Sequence, residues 1–152
     1  MSQLTVVKYI DAPLNKVWES WDDFANIHLF NPLVSSSQLT DDSRVSKGAG
    51  CRRQCNMSDG KNWVREEIVE YIPQQLIKVK IYQGTMPLKE AVFTVRFEKN
   101  GGKTKVYMQM DFTPKFGFLG LLLSPMMKIM FKGMLVKLLN GNEKFVEQRL
   151  AA

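Results

Sequence analysis

The sequence predicts an α+β fold, with a curved antiparallel sheet of about six or seven strands wrapped around a long C-terminal helix and two short helices after the first strand. Three observations predict it. The middle of the chain is a run of strand-length segments, alternating apolar with polar and broken by turn residues. The last quarter changes to apolar residues at helical spacing behind a Ser-Pro start. Connections between successive strands are short, which implies an antiparallel meander. A single sheet of that length curves, and a long amphipathic helix covers its concave face.

Leu4, Val6, Lys8 and Ile10 alternate with Thr5, Val7 and Tyr9, giving the first strand. Asp11-Ala12-Pro13 then turns into a helix over residues 14–21, with Asp11 its expected N-cap. A second short helix is expected over 23–30, stopped by Asn31-Pro32. Strands follow over 45–57, 62–72, 76–83, 88–98 and 103–112, with a weaker one over 34–39. Ser58-Asp59-Gly60, Ile72-Pro73, residues 84–87 and Asn100-Gly101-Gly102 separate them. Ser124 as N-cap and Pro125 at the first helical position predict a helix running to about Arg149. Its apolar stripe is Met127, Met130, Phe131, Met134, Leu138 and Phe145, with Lys137, Lys144 and Gln148 on another side.

The chain has 152 residues, 45% apolar and 24% charged, which suits one domain over 1–152 with a core that needs no metal or disulfide. Net charge is +6, unevenly spread: two bases face six acids up to Asp42, so the remainder carries a net of +10. That excess favours anionic lipid surfaces or ligands. It is not gathered in a run and no nucleic-acid motif accompanies it, so no nucleic-acid partner is expected. One histidine and two cysteines leave too few ligands for a zinc site of several His and Cys, and any Ser-His-acid triad would have to use His28. His28 itself reads as a surface or helix-packing residue. No metal or cofactor is expected. Residues 3–10 read as a strand, not an apolar signal core, so no secretory signal is expected. Cys51 and Cys55, four apart on one strand, stand about 13 Å apart, beyond the roughly 4.4–6.8 Å of a disulfide. Free buried thiols and a cytoplasmic location follow as expectations.

Ile10-Asp11-Ala12-Pro13, then Val17-Trp18 and Asp22, resemble the opening of the polyketide cyclase/dehydrase and lipid-transport (SRPBCC, START-like) superfamily. Gly48-Ala49-Gly50 before a strand is similar too, as is the stretch from Val64 to Pro73, which resembles its central hairpin. The order of elements matches its helix-grip fold over essentially the whole chain. The resemblance implies a deep cavity between sheet and C-terminal helix, usually for a hydrophobic small molecule. It implies no particular reaction.

An Asp59-Gly60 turn pairs Met57 with Asn62, Cys55 with Val64, Arg53 with Glu66 and Cys51 with Ile68. A shift by one would set Arg53 opposite Arg65. In the preferred register Arg53 and Glu66 lie on the more apolar face, with Trp63 and Tyr71 as apolar exceptions on the other. The pair is then either a polar anchor or acid/base group inside a greasy pocket, or a cross-strand salt bridge partly exposed at the sheet edge. Alternation turns Ile77, Val79 and Ile81 inward, with Ala91, Phe93, Val95 and Phe97, and Val106, Met108, Met110 and Phe112. With Phe131, Met134 and Leu138 from the helix they build a wall that serves as core or as ligand surface, methionine suiting irregular shapes. The candidate ligand-binding residues are Arg53, Glu66, Val79, Phe93, Val95, Met108, Met110, Phe131, Met134 and Leu138.

Three functions compete. The first is a non-catalytic binder or carrier of a lipid, fatty acid or polyketide-like molecule. The second is a cyclase or dehydratase using Glu66 as base and Arg53 to stabilise an enolate, although an arginine beside a carboxylate blunts its basicity. The third is a membrane- or partner-docking module through residues 116–123. There Phe116, Phe118, Leu119, Leu121, Leu122 and Leu123 cannot all face one core, and Lys115, Lys128 and Lys132 stand nearby. The alternative for that segment is a first helical turn tucked against the two short helices. The apolar stretch 116–127 is too short to cross a bilayer alone.

Overall fold

Seven strands form one antiparallel sheet in the computed structural model, which describes residues 1–151. They are β1 (Ser2–Ile10), β2 (Val34–Leu39), β3 (Arg52–Met57), β4 (Trp63–Ile72), β5 (Leu76–Gly84), β6 (Leu88–Asn100) and β7 (Lys103–Pro114). Helix α1 (Leu14–Asp22) and a 3-10 segment (Phe24–Leu29) lie between β1 and β2, and helix α2 (Gly117–Ala151) ends the chain. From β2 to β7 the sheet is the expected meander. β1 departs from it and pairs with β7, from Ser2 opposite Phe112 to Ile10 opposite Thr104. A helical excursion instead of a tight turn follows β1, so no hairpin holds it beside β2.

The inner face is set by register. Ala91, Phe93, Val95 and Phe97 stand opposite Phe112, Met110, Met108 and Val106, so one face of the sheet collects the apolar members of each alternation. Two bulges reset that alternation in β4 and β5. Val69 is the extra residue between the pairs Ile68–Val79 and Glu70–Lys78, which brings Tyr71 onto the inner face opposite Ile77. Its ring packs against Trp18 at 5.5 Å and its hydroxyl donates to Asp22 at 2.7 Å. Strict alternation places Tyr71 on the outer face; the bulge turns it inward.

Three further expectations change. β3 starts at Arg52, not at 45, because Gly48 and Gly50 adopt positive φ of 80° and 92°, which breaks an extended strand. Asp11 does not cap α1: Pro13 occupies that position and no side chain bonds the first turn. Helix α2 begins at Gly117, and Pro125 sits inside it. Ser124 is buried there, its hydroxyl 2.7 Å from that of Ser2, and does not cap the helix.

The packing stripe of α2 is also rotated from the expected one. Phe131, Leu135, Leu138, Leu139 and Val146 are buried, whereas Met130 faces outward. Each such apolar side chain contributes about 1.5–3 kcal/mol by leaving water. Phe131 meets Phe112 edge-on at 4.9 Å. Further along, the buried Asn142 accepts from the Trp21 indole at 3.0 Å and donates to Ser20 at 2.9 Å, tying α2 to α1. Gly141 lies so close to the Phe30 carbonyl that no side chain fits between them.

Candidate functional site

Between the inner face of the sheet and α2 lies a cavity of about 100 Å³. Strands β3 to β7 supply one wall, α2 the opposite one, and α1 with the 3-10 segment and the β5–β6 connection close the ends. All ten residues singled out from the sequence line it: Arg53, Glu66, Val79, Phe93, Val95, Met108, Met110, Phe131, Met134 and Leu138. Sequence reasoning missed the end walls. Trp21, Phe24 and Ile27 enter from α1 and the 3-10 segment, and Met86 from a loop. The first three are spaced by three residues, a helical signal that was available; Met86 carried none.

Arg53 and Glu66 are the buried ion pair of this lining, whose other polar members are Ser20, Asp23 and Asn31 near its α1 end. Arg53 and Glu66 pair across β3 and β4 in the expected register, with Arg53 Nε donating to Glu66 Oε1 at 3.0 Å. Both are buried, at 5% and 7% exposure, and both strands are interior to the sheet. The partly exposed edge salt bridge is therefore ruled out. Arg53 Nη1 donates to the Phe24 carbonyl at 3.0 Å, and its guanidinium lies 3.7 Å from the Phe24 ring centre. Cys55 Sγ donates to the same Glu66 oxygen at 3.2 Å. Burial is the largest single influence and works against the arginine's charge, but attraction to Glu66, the hydrogen bond to it and the neighbouring cysteines together hold the group above its ordinary value. Burial pushes the Cys55 thiol far up, so it is protonated and no nucleophile at neutral pH.

The hydrogen bonds of the pair run through Arg53 Nε and Nη1 and through Glu66 Oε1. Arg52 and Glu67, the neighbouring pair at 2.8 Å, share the opposite face of the hairpin and take no part.

The two cysteines are free and buried. His28 bonds neither: its Nδ1 lies 2.7 Å from the hydroxyl of Ser37, the residue opposite Cys55 across β2 and β3, and that hydroxyl donates to the Ala25 carbonyl. That serine is engaged in holding the 3-10 segment to β2. Among the described residues no group of three or more His, Cys, Asp or Glu is placed to hold a metal ion.

A curved antiparallel sheet closed over a long C-terminal helix, with an apolar cavity between them, is the helix-grip architecture. The chain belongs to the polyketide cyclase/dehydrase and lipid transport family, whose profile matches residues 1–147. Among solved structures, a START superfamily protein from Mycobacterium smegmatis superposes with a TM-score of 0.80 at 15% identity, covering 96% of this chain and 97% of that one. The ZhuI aromatase/cyclase from Streptomyces sp. R1128 gives 0.82 at 13% identity, covering 98% and 95%. A major latex-like protein from Panax ginseng gives 0.72 at 17%, covering 94% and 95%. At such identities these likenesses establish the fold. A search of curated proteins finds no match. Family and fold together support a hydrophobic ligand-binding cavity in general terms.

Proposed function

We propose that the protein binds and carries a hydrophobic small molecule, lipid or polyketide-like, whose polar end meets Arg53 and Glu66. The observation that carries this reading is one buried ion pair, Arg53 with Glu66, in a lining that is predominantly apolar. The pair is neutral as a unit, so it suits a neutral polar end such as a hydroxyl or carbonyl. A carboxylate would meet the charge of Glu66 unless it displaced that side chain from Arg53. Among lipids this favours alcohols and ketones over fatty acids. Free thiols in the core fit the cytoplasmic setting we assign to it.

A cyclase or dehydratase reaction has less support. Glu66 Oε1 already accepts from Arg53 and Cys55, which disfavours its service as a general base. The test is native mass spectrometry of protein from its own host, followed by titration with Nile red and displacement by a fatty alcohol or the fatty acid of equal length. A stoichiometric apolar molecule, and tighter displacement by the alcohol, are expected. Protein that is empty and binds neither probe nor lipid overturns the carrier reading.

A further inference from the structure

The first half of α2 is exposed where an amphipathic core helix would be covered. Phe118, Leu122, Met126 and Ile129 follow one another along one side of the helix at 74%, 62%, 65% and 77% exposure. Leu119, Leu123 and Met130 widen the same side. Seven large apolar side chains, each about half exposed or more, thus form one contiguous face, and contiguous apolar patches of this kind mark interaction sites. Phe116, just before the helix, is also turned outward, with a φ of 71° that a bulky residue rarely adopts. The expectation that this segment tucks against the short helices is not met.

The charge around the face identifies its occupant. Lys115, Lys128 and Lys132 are exposed beside it, and none has an ion-pair partner among the described residues. Between Asp111 and Glu143 the sequence contains no acidic residue. We infer that this face docks the protein on anionic membrane surfaces: the apolar side chains enter the boundary of headgroups and acyl chains, and the lysines meet lipid phosphates and carboxylates. A second copy of the chain fits poorly, since two such faces would bring six unpaired lysines together with no acid to offset them. By length and composition α2 would cross a bilayer, yet Phe131, Leu135, Leu138 and Leu139 on its other side belong to the core. The helix therefore lies on the membrane and does not span it. The inference is independent of what the cavity binds.

Co-sedimentation of the full chain with vesicles tests it, using phosphatidylcholine alone and phosphatidylcholine mixed with phosphatidylserine. Binding is expected to the mixed vesicles, weakening as salt screens the lysines. Leu122→Glu with Ile129→Glu abolishes it, and Lys128→Gln and Lys132→Gln each weaken it about five-fold. All four positions are exposed, so thermal melting and Nile red binding stay unchanged, which separates this result from the fate of the carrier reading. Failure to bind either vesicle overturns the inference, as does binding that survives the double glutamate variant. A dimer in light scattering that the glutamates dissociate, with no vesicle binding, reassigns the face to self-association and overturns it equally.

Discussion

Arg53 is held by three different contacts: the Glu66 carboxylate, the Phe24 carbonyl and the Phe24 ring. Removing either partner leaves a charge stranded in the core, so Arg53→Met or Glu66→Leu alone should cost about 3–5 kcal/mol in urea denaturation. The double substitution restores neutrality and should recover most of that loss. It should also erase any preference for the fatty alcohol, which a purely structural pair would not influence. Tyr71 offers a second test. Burial, and then its hydrogen bond to Asp22, raise its hydroxyl from 10.0 to about 12. The folded state therefore keeps a proton that the unfolded chain releases, and the stability this provides is complete below pH 10 and lost between about 10 and 12. Tyr71→Phe should be less stable than the parent at neutral pH, by about 1.5–3 kcal/mol for a bond to a charged acceptor. The gap should close as denaturation is repeated across that alkaline window.

Two glycines in α2 predict opposite outcomes for the same change. A Cβ at Gly141 would be driven into the Phe30 carbonyl and the Pro32 ring, whereas one at Gly133 meets nothing. Gly141→Ala should thus destabilise by about 1–3 kcal/mol through overpacking. Gly133→Ala should stabilise by about 0.5–1 kcal/mol through helix propensity alone. Thermal melts of the two variants check the signs. The same helix shows where local sequence signals fail. Ser124-Pro125 has the chemistry of a helix start, yet the helix runs through it, and the serine bonds to Ser2, which is distant in sequence. The β3–β4 hairpin was legible because a tight turn and two charges fix its register within a few residues. The pairing of β1 with β7 was not, since it joins chain segments about a hundred residues apart. Nor does alternation reveal the bulge at Val69 that turns Tyr71 inward.

At the scale of the whole molecule, the wall from the sheet was legible because alternation sorts every strand residue to one side, while the end walls depend on how α1 and the 3-10 segment close over it. That closure leaves about 100 Å³, against the roughly 300–1,000 Å³ of pockets that enclose drug-sized ligands. A lipid therefore enters only if the lining moves. Five methionines border the space, namely Met57, Met86, Met108, Met110 and Met134. Met108 and Met110 are buried in β7 between neighbouring strands. Met57, Met86 and Met134 are only partly buried and pack at the margin of the core, Met57 on β3 and the other two on the β5–β6 loop and α2. Their unbranched side chains change rotamer at little cost, and Met86 and Met134, which lie outside the sheet, are the two we expect a ligand to displace. Met86→Ala with Met134→Ala should then open the cavity in advance. The unliganded protein should lose up to about 2–5 kcal/mol per buried methionine removed, less where the side chain is partly exposed. Nile red should bind more tightly, because the displacement no longer opposes entry. Stability measured with saturating probe should recover part of the loss by mass action. Tighter binding in a less stable protein would mark these methionines as ligand-displaced filler; weaker binding would make them contacts that the ligand needs.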